Sequence, residues 1–160
     1  MTSAAGAVSA VEVRLRELGL SLPAVASPVA VYVPAVITGN LVHTSGQLPF
    51  VDGVLPATGK VGAEVGAEEA ASYAAICAVN ALAAVKAQIG DLDRVVRVVK
   101  VVGYVASDPS FTGQPAVING ASELLGNVFG KAGSHARSAV GVAVLPLDAP
   151  VEVEMIVEFA

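Results

Sequence analysis

A single cysteine, Cys77, stands among the 160 residues, so no intrachain disulfide can form. It lies in an Ala-rich apolar run, where a free cysteine serves as a small core residue rather than a nucleophile. The two histidines, His43 and His135, are far apart in the chain with no second cysteine beside them, so metal-ligand spacing is missing. Tryptophan is absent and large aromatics are few. Positive charge is scarce as well: nine Lys and Arg stand against fourteen Asp and Glu, for a formal net charge of −5. Three fall close together only at Arg94, Arg97 and Lys100, and strand alternation does not put all three on one face. An acidic chain without a basic stripe makes a poor nucleic-acid binder. Long apolar runs are also lacking. The longest, Ala70 to Val85, is mostly Ala with Asn80 inside, and it falls short of the roughly 20 residues of a membrane span. The N-terminus has neither a basic n-region nor an apolar h-region. These absences predict a cytoplasmic protein with no nucleic-acid or membrane partner.

What is present is small and apolar. The chain is 54% hydrophobic and 14% charged, with Ala, Val and Gly dominant. That is more apolar surface than one small domain easily hides, which predicts a homo-oligomer. Residues 1–28 read as an N-terminal helix and linker, and 29–160 as the main domain. In the first part Val8, Val11, Leu15 and Leu18 recur at helical spacing, with Ser9 or Ser3 as cap and Gly19 as stop. Val29 to Ile37 is strand-like but interrupted by Pro34, so it should be an edge or a bulge. Gly39-Asn40 signals a hairpin to Leu41–Thr44, and Asp52-Gly53 a second turn. Val54 to Val61 reads as a short, weak strand.

Glu64 to Ile89 reads as the main helix, with Tyr73, Ile76, Val79, Leu82, Val85 and Ile89 as its buried stripe and Gly90 as its stop. Val95 to Val105 is almost all Val, which predicts a strand buried on both faces. Pro115 to Phe129 reads as a second helix, and Ser138 to Leu145 as another strand. Val151, Val153, Met155 and Val157 alternate with Glu152, Glu154, Ile156 and Glu158, the clearest period of two in the chain. The order predicts an α/β (α+β) fold: one mixed sheet, two long helices on one of its faces, and the N-terminal helix. The open face of such a sheet again points to association.

Arg137 holds the chemistry. It stands at the mouth of an apolar strand, where a guanidinium needs an anion and binds carboxylates in a planar, bidentate way. Either Glu152 or Glu154 is that anion, as in charged cross-strand pairs, or a small carboxylate ligand is. Ser45 and Ser138 have no His–Asp partners in evident order, so nucleophilic serine chemistry is rejected. His135 reads as a turn residue and His43 as a packed strand residue.

Three runs carry a family resemblance: Asn40 to Pro49 (NLVHTSGQLP), Gly90 to Val96 (GDLDRVV), and Ala136-Arg137-Ser138-Ala139-Val140 to Leu145-Pro146 followed by Val151-Glu152-Val153-Glu154. In that order they resemble the Rid (YjgF) family of reactive intermediate deaminases, also called L-PSP-type proteins, over roughly residues 29 to 159. The resemblance implies a chorismate-mutase-like fold and a homotrimer whose sheets face a central barrel, with three clefts between subunits. It also implies cofactor-free hydrolysis of small 2-imino acids to 2-keto acids and ammonia. Arg137 would clamp the carboxylate, and Glu152 would hold or polarise the attacking water. A backbone group at Ala139 would contact the imine end. Tyr32, Gly46 and Asn119 fall at further cleft positions of the family.

The chemistry suits those residue types: a fixed cation for the carboxylate, and a partly buried carboxylate to take a proton from water. Ala139 replaces the Cys that many relatives carry two residues after the arginine. Val31-Tyr32-Val33-Pro34-Ala35 lacks the usual Gly-Pro-Tyr-Ser pattern. With the N-terminal helix, these departures resemble a divergent subgroup. The competing functions are a non-catalytic trimer that binds a metabolite or partner in the same cleft and, least favoured by the charge, an endoribonuclease.

Overall fold

The computed structural model describes residues 8–25 and 31–160. Helix α1 spans Ala10–Glu17, with the Ser9 hydroxyl accepting from the Glu12 N–H and Gly19 (φ +75°) ending the turn beyond it. The other candidate cap, Ser3, lies outside the described residues, as do Val29 and Ala30. The aspartate at position 93 fastens α1 to the body. Its carboxylate accepts from Ser9 Oγ (2.7 Å) and from the N–H groups of Ala10 (2.8 Å) and Val11 (3.0 Å). These are donors that the first turn of a helix leaves unpaired. Lys86 adds an ion pair to Glu12 at 2.6 Å.

Strands β1 (Ala35–Thr38) and β2 (Leu41–Thr44) form the hairpin expected at Gly39-Asn40, with Thr38 opposite Leu41. The strand expected from Val29 begins only at Ala35. Pro34 has no N–H to give a ladder, and upstream of it the chain is held instead by Ser45, which donates its N–H to the Pro34 carbonyl and its hydroxyl to that of Val33. Val54 to Val61 is not a strand. Val51 and Val54 pair around the Asp52-Gly53 turn (φ 49° and 79°), and Val61 makes only single bridges to Val65 and Ser107. The main helix, α2, starts later than expected, at Ala67, and runs to Ile89. Glu64 closes a turn instead, accepting from the Lys60 N–H at 2.8 Å beside Gly59 (φ 115°).

Helix α2 is long and apolar enough to cross a membrane by length and composition, but it is the core helix, packed on the sheet and on α3 (Gln114–Phe129). Its buried face is wider than the expected stripe. Ala70, Ala74, Cys77, Ala78, Ala81 and Ala84 are buried, whereas Tyr73 and Ile76 are only half-buried. The reason is close approach: a Cβ on Gly120 of α3 would fall 1.9 Å from the Ala71 carbonyl oxygen. Helices that cross so tightly need small side chains at the contact.

Strands β3 (Val95–Ala106), β4 (Ala136–Val142) and β5 (Val151–Phe159) complete one five-stranded sheet of order β1-β2-β5-β3-β4. Only β3 and β4 are parallel, and α3 is their crossover. This is the mixed sheet with two long helices on one face that the element order predicts. On β5, Val151, Val153, Met155 and Val157 are buried under the helices while Glu152, Glu154, Ile156 and Glu158 face the other way, half-buried. Strand β3 departs from the expectation of burial on both faces. Val101, Gly103 and Val105 lie against the helices, but Lys100, Val102 and Tyr104 line the face that no second layer of this chain covers.

Candidate functional site

Parallel pairing sets Arg137 opposite Val101 and Ser138 opposite Val102. Arg137 therefore shares the helix-covered face with Ala139, and Ser138 lies on the open face, where its hydroxyl accepts from Lys100 at 3.2 Å. The Arg137 guanidinium reaches α3. Its Nη1 donates to Asn119 Oδ1 at 2.7 Å and to Ser122 Oγ at 3.3 Å. Ser122 Oγ lies 2.9 Å from His135 Nε2, and His135 Nδ1 lies 2.6 Å from the Gly133 carbonyl oxygen. A carbonyl only accepts, so Nδ1 carries the hydrogen; in the neutral ring Nε2 then accepts from the Ser122 hydroxyl, a tautomer assigned from the network.

Within the chain, Arg137 pairs with neither Glu152 nor Glu154. Among the described residues the ion pairs are Lys60–Asp148 and Lys86–Glu12. Glu152 pairs with Tyr104, on the opposite face of the sheet from Arg137. The two are two strands apart and three positions out of step, which places their backbones about 14 Å apart at ordinary strand spacing and rise. Ala139 is brought onto the Arg137 face, and Asn119 into direct contact with the guanidinium.

The other predicted residues lie away from Arg137: Glu152 on the central strand β5, Gly46 just past β2, and Tyr32 just before β1. Gln47 bridges Val153, which lays the Glu152 side chain across Gly46. A Cβ at Gly46 would sit 1.9 Å from Glu152 Oε1, so only glycine leaves room for that carboxylate. Burial, and then the neighbouring Glu154 charge, push the Glu152 carboxyl above the ordinary carboxylate range. Tyr104 shows the same pressure, raised by burial and by Glu154, to which its hydroxyl donates at 3.4 Å. Tyr32 is 56% exposed, in the segment that Ser45 anchors through Val33. The six residues thus fall into Arg137–Asn119–Ala139 at the β4 edge, Gly46–Glu152 between β2 and β5, and Tyr32 ahead of β1.

The sequence does not single out Ser122, and it reads His135 as a turn residue. Asn119 and Ser122 are three apart on one helix and so share a face, the one signal available. Cys77 is buried, as expected, with its thiol pushed far up by desolvation. His43 lines a shallow recess of about 110 Å³ on the open face with Lys100 and Glu154.

The family model described as "YjgF/chorismate mutase-like, putative endoribonuclease" matches residues 12–159. The chain belongs to this family. Its sheet and paired helices are the chorismate-mutase-like fold of Rid (YjgF) proteins. Protein TCP17 of Trypanosoma cruzi is 48% identical over 156 residues, which cover 97% of this chain and 96% of that protein. A crystal structure from Agrobacterium tumefaciens, of a protein of unknown function, is 50% identical with a TM-score of 0.89 and covers 94% of each chain. The Escherichia coli protein TdcF, solved with bound serine, is 26% identical with a TM-score of 0.57, covering 86% of this chain and 98% of that one.

Proposed function

We propose that this Rid protein hydrolyses small reactive 2-imino acids to 2-keto acids and ammonia, in clefts between the subunits of a homotrimer. The observation that carries this reading is Arg137. It is a guanidinium held in place by Asn119 and Ser122, paired with no carboxylate among the described residues, and set on an edge strand. Such a group is built to receive an anion from outside its own chain.

The separation of the site residues within one chain supports the inter-subunit cleft. Arg137 sits on one edge strand, β4, and Tyr32 leads into the other, β1. Both edges expose apolar side chains: Val36 is 50% and Ile37 43% exposed on β1, and Val140 is 43% exposed on β4. A head-to-tail contact between copies closes a ring when its rotation allows, and in the proposed cleft Arg137 of one copy forms one wall and Gly46 with Glu152 of the next forms the other. There Arg137 clamps the carboxylate. A backbone group of Ala139, on an edge strand with unpaired amides, meets the imine end. Glu152, its carboxyl raised by burial, takes a proton from the attacking water. Because the imine is already electrophilic, holding it beside that water supplies much of the acceleration.

Serine in TdcF supports a ligand that carries a carboxylate. The same ligand class suits a non-catalytic binding protein. The test is keto-acid release from imines generated in place by an amino-acid oxidase, with semicarbazide competing for the imine. The expected result is acceleration by the wild type that Arg137→Ala abolishes. Tight keto-acid binding without acceleration would leave the binding protein instead.

A further inference from the structure

Arginine projects its guanidinium from a flexible stem, and holding the group in one geometry costs rotamer entropy unless partners fix it. Asn119 Oδ1 occupies one hydrogen of Arg137 Nη1, and Ser122 Oγ occupies the other. With both Nη1 hydrogens taken, the Nε–Nη2 edge is the fork left to meet a carboxylate. Ser122 can hold its lone pairs toward Nη1 only if its own hydrogen points elsewhere. His135 Nε2 lies 2.9 Å away on that other side, and the Gly133 carbonyl fixes the ring from behind at 2.6 Å.

We propose that Ser122 and His135 are positioning residues for the carboxylate clamp: His135 orients the Ser122 hydroxyl, and Ser122 orients Arg137. The inference rests on Arg137 binding the substrate carboxylate. Ser122 is a poor nucleophile in this arrangement, because its oxygen already accepts from a guanidinium and its histidine is backed by a neutral carbonyl rather than a carboxylate. The chain runs in series, Gly133 to His135 to Ser122 to Arg137. Series coupling predicts non-additivity: once Ser122 is gone, His135 has nothing left to orient.

The experiment measures kcat and KM for imine hydrolysis, and Kd for 2-oxobutanoate by calorimetry, in wild type, Ser122→Ala, His135→Ala, the double variant and Ser122→Thr. Ser122→Ala should raise KM and Kd about tenfold while kcat stays within about threefold, the loss of one charge-assisted hydrogen bond on the ligand clamp. His135→Ala should move the same constants by about three- to fivefold, and the double variant should match Ser122→Ala alone. Ser122→Thr, which keeps the hydroxyl, should restore KM and Kd to within about twofold of wild type. Thermal unfolding of each variant separates these effects from a general loss of fold. Unchanged KM and Kd in Ser122→Ala, or additive losses in the double variant, would overturn the positioning role while leaving the clamp intact. A wild type that neither binds the keto acid nor turns over imines would bring down the clamp itself, and the positioning role with it.

Discussion

At the β4 edge, Arg137 is held by Asn119 and by a series of three hydrogen bonds that runs through Ser122 and His135 to the Gly133 carbonyl. At the start of β5, Glu152 rests on Gly46 with no hydrogen-bond donor among the described residues and another carboxylate beside it. The contrast matches the roles proposed for the two groups. A clamp gains from being fixed before the ligand arrives, since every torsion frozen in advance is entropy not lost on binding. A base gains from being left uncommitted, because donors would stabilise its anion and lower its affinity for a proton. One group is built by adding partners, the other by removing a Cβ.

The largest effect should come from breaking the fixed group. Arg137→Ala should lower kcat/KM by about three orders of magnitude, which corresponds to about 4 kcal/mol of transition-state binding. Steady-state kinetics on the semicarbazide assay reads it directly. Next comes Gly120→Ala, which strikes the same group from behind. Its Cβ would meet the Ala71 carbonyl at 1.9 Å, and backbone cannot step aside as a side chain can. Pushing α3 off α2 should cost about 2–3 kcal/mol in denaturant unfolding and should carry Asn119 away from Arg137. If the variant unfolds like wild type, the tight helix crossing is not a constraint on the clamp.

Gly46→Ala tests the uncommitted group. The added methyl contests space only with the Glu152 carboxylate, the far end of a flexible side chain. Stability should therefore change by less than about 1 kcal/mol, while kcat falls about 10- to 100-fold with KM nearly constant, the pattern of a misplaced base rather than a lost clamp. A KM effect of that size would instead place Gly46 on the binding side of the comparison.

Much of the fold was legible because period and punctuation are local. The alternation of Val151 to Glu158 named the buried face of β5, and Gly39-Asn40 named the β1–β2 hairpin. Legibility failed where a long-range contact decided. Alanines carry little weight in a hydrophobic stripe, yet the approach of Gly120 to Ala71 makes them the buried face of α2. Glu64 reads as helix until its carboxylate is seen closing the Lys60 turn. In the site, Asn119 came from a family position and the structure brings it to Arg137. Ser122 was invisible because its partners, Arg137 and His135, arrive from β4 and the turn before it, across the parallel crossover. The cross-strand alternative for Arg137 was open in the sequence, since only the register could show that Arg137 and Glu152 lie on opposite faces.

The smallest effect is on stability, and its sign separates an uncommitted carboxylate from an anchored one. The Glu152 carboxyl is raised above its value in the unfolded chain, by burial first and by Glu154 second. The folded state then holds the Glu152 proton more tightly than the unfolded state does. Its ionisation costs nothing below the ordinary carboxylate value, and stability declines as pH climbs from there through the raised folded value. Glu152→Gln removes that charge. The variant should melt above wild type near pH 7, by less than about 1 kcal/mol for a half-exposed group, and the two curves should meet near about pH 4. Turnover should meanwhile be lost, so the same substitution would stabilise the fold and disable the base, as expected of a site that holds a charge in an unfavourable place for the sake of its chemistry. A Gln variant that melts below wild type at neutral pH would mean that Glu152 is anchored in the assembly, as by a guanidinium across the proposed cleft, and Glu152 would then be held as Arg137 is.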